Sequence, residues 1–119
     1  EGGGPMGEDP LDGAKRELAE EAGLAASEWR EIMRIQLSNS VTDELAIGYL
    51  ATGLAPAPGV HHADDTEDIA QVRVPFREAL AAANDGYIRD ALTVAMLLRA
   101  YHMAREGHLP DALARAMLL

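Results

Sequence analysis

The chain has 119 residues, 48% of them apolar and 4% aromatic, with 20 acidic against 10 basic residues and a formal charge of -10. That length suits one domain, and the acidic balance argues against nucleic acid or an anionic membrane as partner. With no cysteine there are no disulfides, thiolate metal sites or cysteine nucleophiles, and no apolar run approaches the roughly 18 residues of a membrane span.

The chain opens Glu1-Gly2-Gly3-Gly4, with no initiator methionine and no strand ahead of the glycines. This reads as the middle of something, a single domain over 1–119 that is incomplete at its N-terminus. No basic-then-apolar leader precedes it, so the expected setting is soluble and cytoplasmic. Asp9 is a helix cap with Pro10 in the favoured first position, and Gly23 is the stop after Ala22. Leu11, Ala14, Leu18 and Ala22 recur at helical spacing as the expected buried face. Gly13 costs this helix roughly 1 kcal/mol of propensity, which close packing against a neighbour explains.

From Trp29 to Leu37 the period becomes two, with Met33, Ile35 and Leu37 on one face and Arg34 and Gln36 on the other. After Ser38-Asn39-Ser40, Leu45 to Leu54 reads as a second strand with Leu45, Ile47, Tyr49 and Ala51 on one face. Residues 55–66 read as a loop, and Ile69 to Val74 as a third short strand. Pro75 opens a helix from Phe76 to Ala83, closed by Asn84-Asp85-Gly86. A long helix from Arg89 to Glu106 leaves Arg99, His102 and Glu106 as its wet stripe. A last helix, Pro110 to Leu119, packs through Leu113 and Met117. Three strands make a thin sheet for so many apolar helix faces.

Glu17, Glu20 and Glu21 lie at i, i+3 and i+4, on the side of the first helix opposite Leu11, Leu18 and Ala22. Glu17 and Glu21 are one turn apart, about 6 Å along the axis. Like charges at that spacing destabilise an exposed helix by a few tenths of a kcal/mol. A divalent cation such as Mg²⁺ or Mn²⁺ would give a reason to tolerate them. A solvated face beside Lys15 and Arg16 is the plainer account of the spacing, and nothing in the cluster by itself picks out a metal. Gly2, Gly3, Gly4 and Gly7 allow backbone to approach a ligand, but no GK[ST] follows, so this is no Walker loop.

Together, the glycine turn and the helix resemble the Nudix box, G-x5-E-x7-R-E-U-x-E-E-x-G-U with U aliphatic. The match holds at Gly2, Glu8, Arg16, Glu17, Leu18, Glu20, Glu21, Gly23 and Leu24. The resemblance implies an α+β fold, an α/β/α sandwich of the Nudix type with a thin or incomplete mixed sheet. It also implies Glu17 and Glu21 as metal ligands, Glu20 as a further ligand or base, and the backbone carbonyl of Glu1 as another ligand. Glu8 would support the loop and Arg16 would orient the glutamates, with Gly2 and Gly23 shaping the turn and the stop. The metal implied is Mg²⁺, with Mn²⁺ as its alternative.

The rest of the chain is similar to the ADP-ribose pyrophosphatase branch, through SNSVTDELAIGYLATGL with its acidic pair Asp43-Glu44, and through TEDIAQVRVPFREALAAANDGYIRDALTVAMLL. That branch carries a catalytic base or third ligand in an acidic loop. Glu67 matches it best, with Asp65 and Asp68 as neighbours and a solvated acidic loop as the plain alternative. The strands that normally precede the box, and with them much of the adenine pocket and dimer interface, are not in this sequence. His61-His62 is a weak candidate for a metal pair, because adjacent side chains in an extended loop point apart. Trp29 and Tyr49 could stack on a base, although packing explains them more simply.

The resemblance implies hydrolysis of a nucleoside diphosphate linked to a second group, with ADP-ribose giving AMP and ribose 5-phosphate as the leading case. Catalysis would rest on Glu20, Glu21 and Glu67, in a homodimer with neither nucleic-acid nor membrane partner. Two other readings stand beside it: a non-catalytic module that works through protein or self-association, and a nucleotide-sugar or dinucleotide-polyphosphate pyrophosphatase.

Overall fold

The computed structural model describes residues 7–59 and 71–119. Among them are four helices and two strands, in the order α1 (Pro10–Ala22), β1 (Leu24–Gln36), β2 (Leu45–Pro56), α2 (Phe76–Asn84), α3 (Ala91–Arg105) and α4 (Asp111–Leu118). The chain is therefore a mixed α and β protein with a small antiparallel sheet of order β1-β2. It divides into two compact units, one carrying the described residues of Glu1–Arg30 and Tyr49–Val72, the other Glu31–Gly48 and Arg73–Leu119. No helix among the described residues is long and apolar enough to cross a membrane.

In the first unit α1 starts and stops where its sequence directs. The Oδ1 of Asp9 accepts the Leu11 N–H at 2.8 Å, and the Asp9 carbonyl accepts the Gly13 N–H at 3.0 Å, closing the first turn behind Pro10. Gly23 takes the left-handed conformation, φ 66° and ψ 27°, which a side chain would disfavour. Its carbonyl then accepts the Ala57 N–H at 2.9 Å, tying the end of the helix to the end of β2. That bond explains why β1 begins at Leu24 rather than at the expected Trp29. Residues 24–28 carry little alternation of their own, and pairing with β2 holds them extended. Trp29 and Tyr49 meet edge to face, centroids 6.2 Å apart at 77°, with the Trp29 Nε1–H on the Ala26 carbonyl at 3.3 Å. The two rings pack against each other.

The second unit holds the core: Ile32, Met33, Ala46, Ala100, Met103, Ala104, Leu109 and Met117 are all buried. Here the buried residues of β2 lie on the face opposite Leu45 and Ile47. Its buried positions are Ala46 and Gly48, while Leu45 is exposed and Ile47 half-buried. The reason is Met96 of α3, whose Sδ occupies the space a Cβ on Gly48 would need, with Met33 Cβ beside it at 3.5 Å. Small residues face the helix so that backbone and thioether can meet. The long helix α3 is capped by Asp90, whose carboxylate accepts the Thr93 N–H at 2.9 Å. His102 and Glu106 lie exposed as expected. Arg99 does not simply face water, because its Nε–H donates to the Ile32 carbonyl at 2.8 Å and pins α3 to β1.

The expected third strand is corrected in part. Ile69 and Ala70 lie outside the described residues, and residues 71–74 form no strand. Val72 is 79% exposed and Val74 is also exposed, so the β-branched pattern finds no neighbouring strand to pair with among the described residues.

The Gly48–Met96 contact is testable. Gly48→Ala should lower stability by about 1–3 kcal/mol through overpacking. Adding Met96→Ala should cost less than the sum of the two single changes, as read by urea unfolding.

Candidate functional site

The described part of the glycine turn and α1 places three carboxylates around one guanidinium. Arg16 donates from Nη2 to Glu8 Oε1 at 3.1 Å and from Nε to Glu8 Oε2 at 3.3 Å, a two-pronged grip that matches fork to carboxylate. Its Nη1 reaches Glu17 Oε1 and Glu20 Oε2, both at 3.2 Å. Glu8 and Glu17 keep about a fifth of their side-chain surface exposed, and Glu20 about half. The Arg16 guanidinium is held charged above its ordinary range, first by the hydrogen bond to Glu8, which outweighs the opposing desolvation, and then by the individually weaker fields of Glu8, Glu20 and Glu17.

Local sequence explains this arrangement. Arg16, Glu17 and Glu20 share a helix surface at i, i+1 and i+4, but Glu8 lies eight residues before Arg16, ahead of the cap. It can return to the helix because Gly13, the buried residue of α1, has no side chain. A Cβ there would stand 3.0 Å from Glu8 Oε1. Gly13 is thus the residue that sequence reasoning placed in packing without seeing its partner. The available signal was a glycine in a helix interior one turn after an acidic residue, at a cost roughly 1 kcal/mol above alanine.

Glu21 sits on the same helix, half-buried. Glu1, Gly2 and Glu67 lie outside the described residues, as do Asp65, Asp68, His61 and His62. Asp43 and Glu44 are exposed in the connection between the strands, where the Glu44 carbonyl accepts the Leu37 N–H at 3.3 Å.

Among the described residues no three His, Asp or Glu side chains gather closely enough to hold a metal by themselves. The donors are nonetheless of the right chemistry for one class of ion. Mg²⁺ is commonly held by one or two carboxylates together with substrate phosphates and waters rather than by a closed protein cage. Hard carboxylate oxygens on neighbouring turns of one helix fit that habit, and they fit soft or thiophilic metals poorly.

A family model described as NUDIX domain matches residues 1–95. A curated ADP-ribose pyrophosphatase of Mycobacterium tuberculosis is 35% identical over 97 residues, which cover 80% of this chain and 46% of that protein. A solved structure titled "Crystal structure of ADP compounds hydrolase" has a similar fold, with a TM-score of 0.72 and 24% identity over 87% of this chain and 56% of its own. The chain spans about half the length of these relatives.

The seat of Glu8 is open to test. Gly13→Ala should gain about 0.5–1 kcal/mol of helix propensity but lose about as much by pushing the Glu8 tip a few tenths of an ångström off Arg16, leaving stability about unchanged. Gly13→Val adds branching at the same point, so it should lose that gain and displace Glu8. Denaturant unfolding of the two variants separates the effects.

Proposed function

Because this chain belongs to the NUDIX family, we propose that it is a metal-dependent pyrophosphohydrolase acting on a nucleoside diphosphate linked to a second group. The reading is carried by one observation: Glu8, Glu17 and Glu20 converge on Arg16 within a segment that matches the family box throughout. ADP-ribose is the proposed substrate, supported by the similarity to the M. tuberculosis ADP-ribose pyrophosphatase. Mg²⁺ is the proposed ion, and the cytoplasm the proposed setting.

In this reading Glu17 and Glu21 hold the cation and Glu20 assists. When bound, the ion would neutralise the diphosphate and stabilise charge that builds up on its oxygens. The protein's own part begins with Arg16, which restrains Glu17 and Glu20 from the side while Glu8 restrains Arg16. The helix face is thereby organised before substrate arrives, and less ordering remains to be done on binding. Glu67 takes a proton from the attacking water. The water oxygen then bonds to one phosphorus as the bridging P–O bond breaks and the bridging oxygen leaves on the other phosphate, giving AMP and ribose 5-phosphate.

A homodimer belongs to the same proposal. Leu37, Val41 and Leu45 are all exposed about the connection between β1 and β2, Val41 at 85%, and apolar surface of this kind favours a partner. Light scattering should find a dimer.

Incubation with ADP-ribose and Mg²⁺ should release AMP, and EDTA should abolish the release until Mg²⁺ or Mn²⁺ is restored. Glu21→Gln should lower turnover by about 100-fold or more with an unchanged circular dichroism spectrum. Full metal-dependent turnover in that variant would overturn the assignment of Glu21. Arg16→Lys keeps the charge but loses the fork, so it should also reduce turnover, less severely than Glu21→Gln.

A further inference from the structure

The second unit contains a cavity of about 340 Å³ among α2, α3 and α4, of a size that suits a small molecule. Its lining runs against the character of the chain. In a protein with twice as many acidic as basic residues, two arginines, Arg77 and Arg105, face this cavity, and among the described residues no acidic side chain lines it. The helices account for the placement. Arg77, Leu80 and Asn84 recur at i, i+3 and i+7 along one side of α2, while Tyr101 and Arg105 are one turn apart on α3.

Among the described residues neither cation is paired with a carboxylate. Arg105 donates from Nη1 to the Tyr101 hydroxyl at 3.2 Å and stands 5.8 Å from the centre of that ring, contacts that orient the guanidinium without supplying a counter-charge. Among the described residues Arg77 forms no ion pair or hydrogen bond. Leu80 and Met117 give the same cavity apolar wall, and Asn84 adds an amide.

The geometry points to a second ligand site here, for a small organic anion. Its phosphate or carboxylate head is held by Arg77 and Arg105, and its short apolar body lies against Leu80 and Met117. Two guanidiniums without carboxylate partners attract an anion, and the apolar wall selects one that carries hydrocarbon over a bare inorganic ion. Nothing in this site depends on the hydrolase reading, and no residue of the box contributes to it.

Hexyl phosphate, hexanoate, hexanol and inorganic phosphate serve as probes in a titration followed by amide NMR shifts. Saturable shifts in α2 and α3 are expected with hexyl phosphate or hexanoate at millimolar concentration, and the tighter of the two identifies the head group. Hexanol and inorganic phosphate should each bind at least about tenfold more weakly. Arg77→Met should weaken the preferred anion by about tenfold or more, with circular dichroism unchanged because the side chain has no described partner to lose. Arg105→Met should do the same. Binding that survives Arg77→Met, that hexanol matches, or that never saturates overturns the site.

Discussion

The grip of Arg16 on Glu8 is the constraint on which the candidate site depends. Three glutamates in five residues of helix repel one another, and an unassisted chain would splay them into water. Arg16 answers part of that repulsion from within the helix, touching Glu17 and Glu20 through one nitrogen. It can do so in a fixed pose because its other edge is held in two places by Glu8. The hydrogen bond to Glu8 is also the largest influence holding the guanidinium charged. Removing Glu8 would leave Arg16 a loose cation among carboxylates.

That constraint reaches into the backbone. Glu8 precedes the helix cap, so its return to the helix surface needs the sharp entry set by Asp9 and Pro10 and the missing side chain at Gly13. At the far end Gly23 turns the chain left-handed and gives its carbonyl to Ala57. The acidic stripe is thus held at both ends by turns whose residues lie outside it. A glycine recurs in the same role in the second unit, where Gly48 admits Met96. In both places a missing Cβ lets a specific side chain occupy the space, and the local cost in propensity is offset by that contact.

Much of this was legible in the residue order. The cap at Asp9, the stop at Gly23 and the same-side glutamates follow from local rules that act over one or two turns, and the box resemblance identified the family that the family match then showed. Local rules were weaker where a partner decides the outcome. Alternation put Leu45, Ile47 and Tyr49 on one face of β2 without saying which face is buried, and that was settled by Met96 of α3, which packs against Gly48 on the other. Arg99 looked like a solvated residue because its acceptor, the Ile32 carbonyl, lies 67 residues away in the chain.

The sequence by itself determined the helix that carries the box, its two ends and the side on which its carboxylates lie, since each depends on dihedral preferences and spacing within a few residues. Tertiary structure alone decided which charge answers those carboxylates, why Gly13 and Gly48 are glycine, and that Arg77 and Arg105 face one cavity from separate helices. Those outcomes depend on contacts between elements, and a contact of that kind has no period to read. It exists only when backbone geometry brings two distant side chains within a few ångströms of each other.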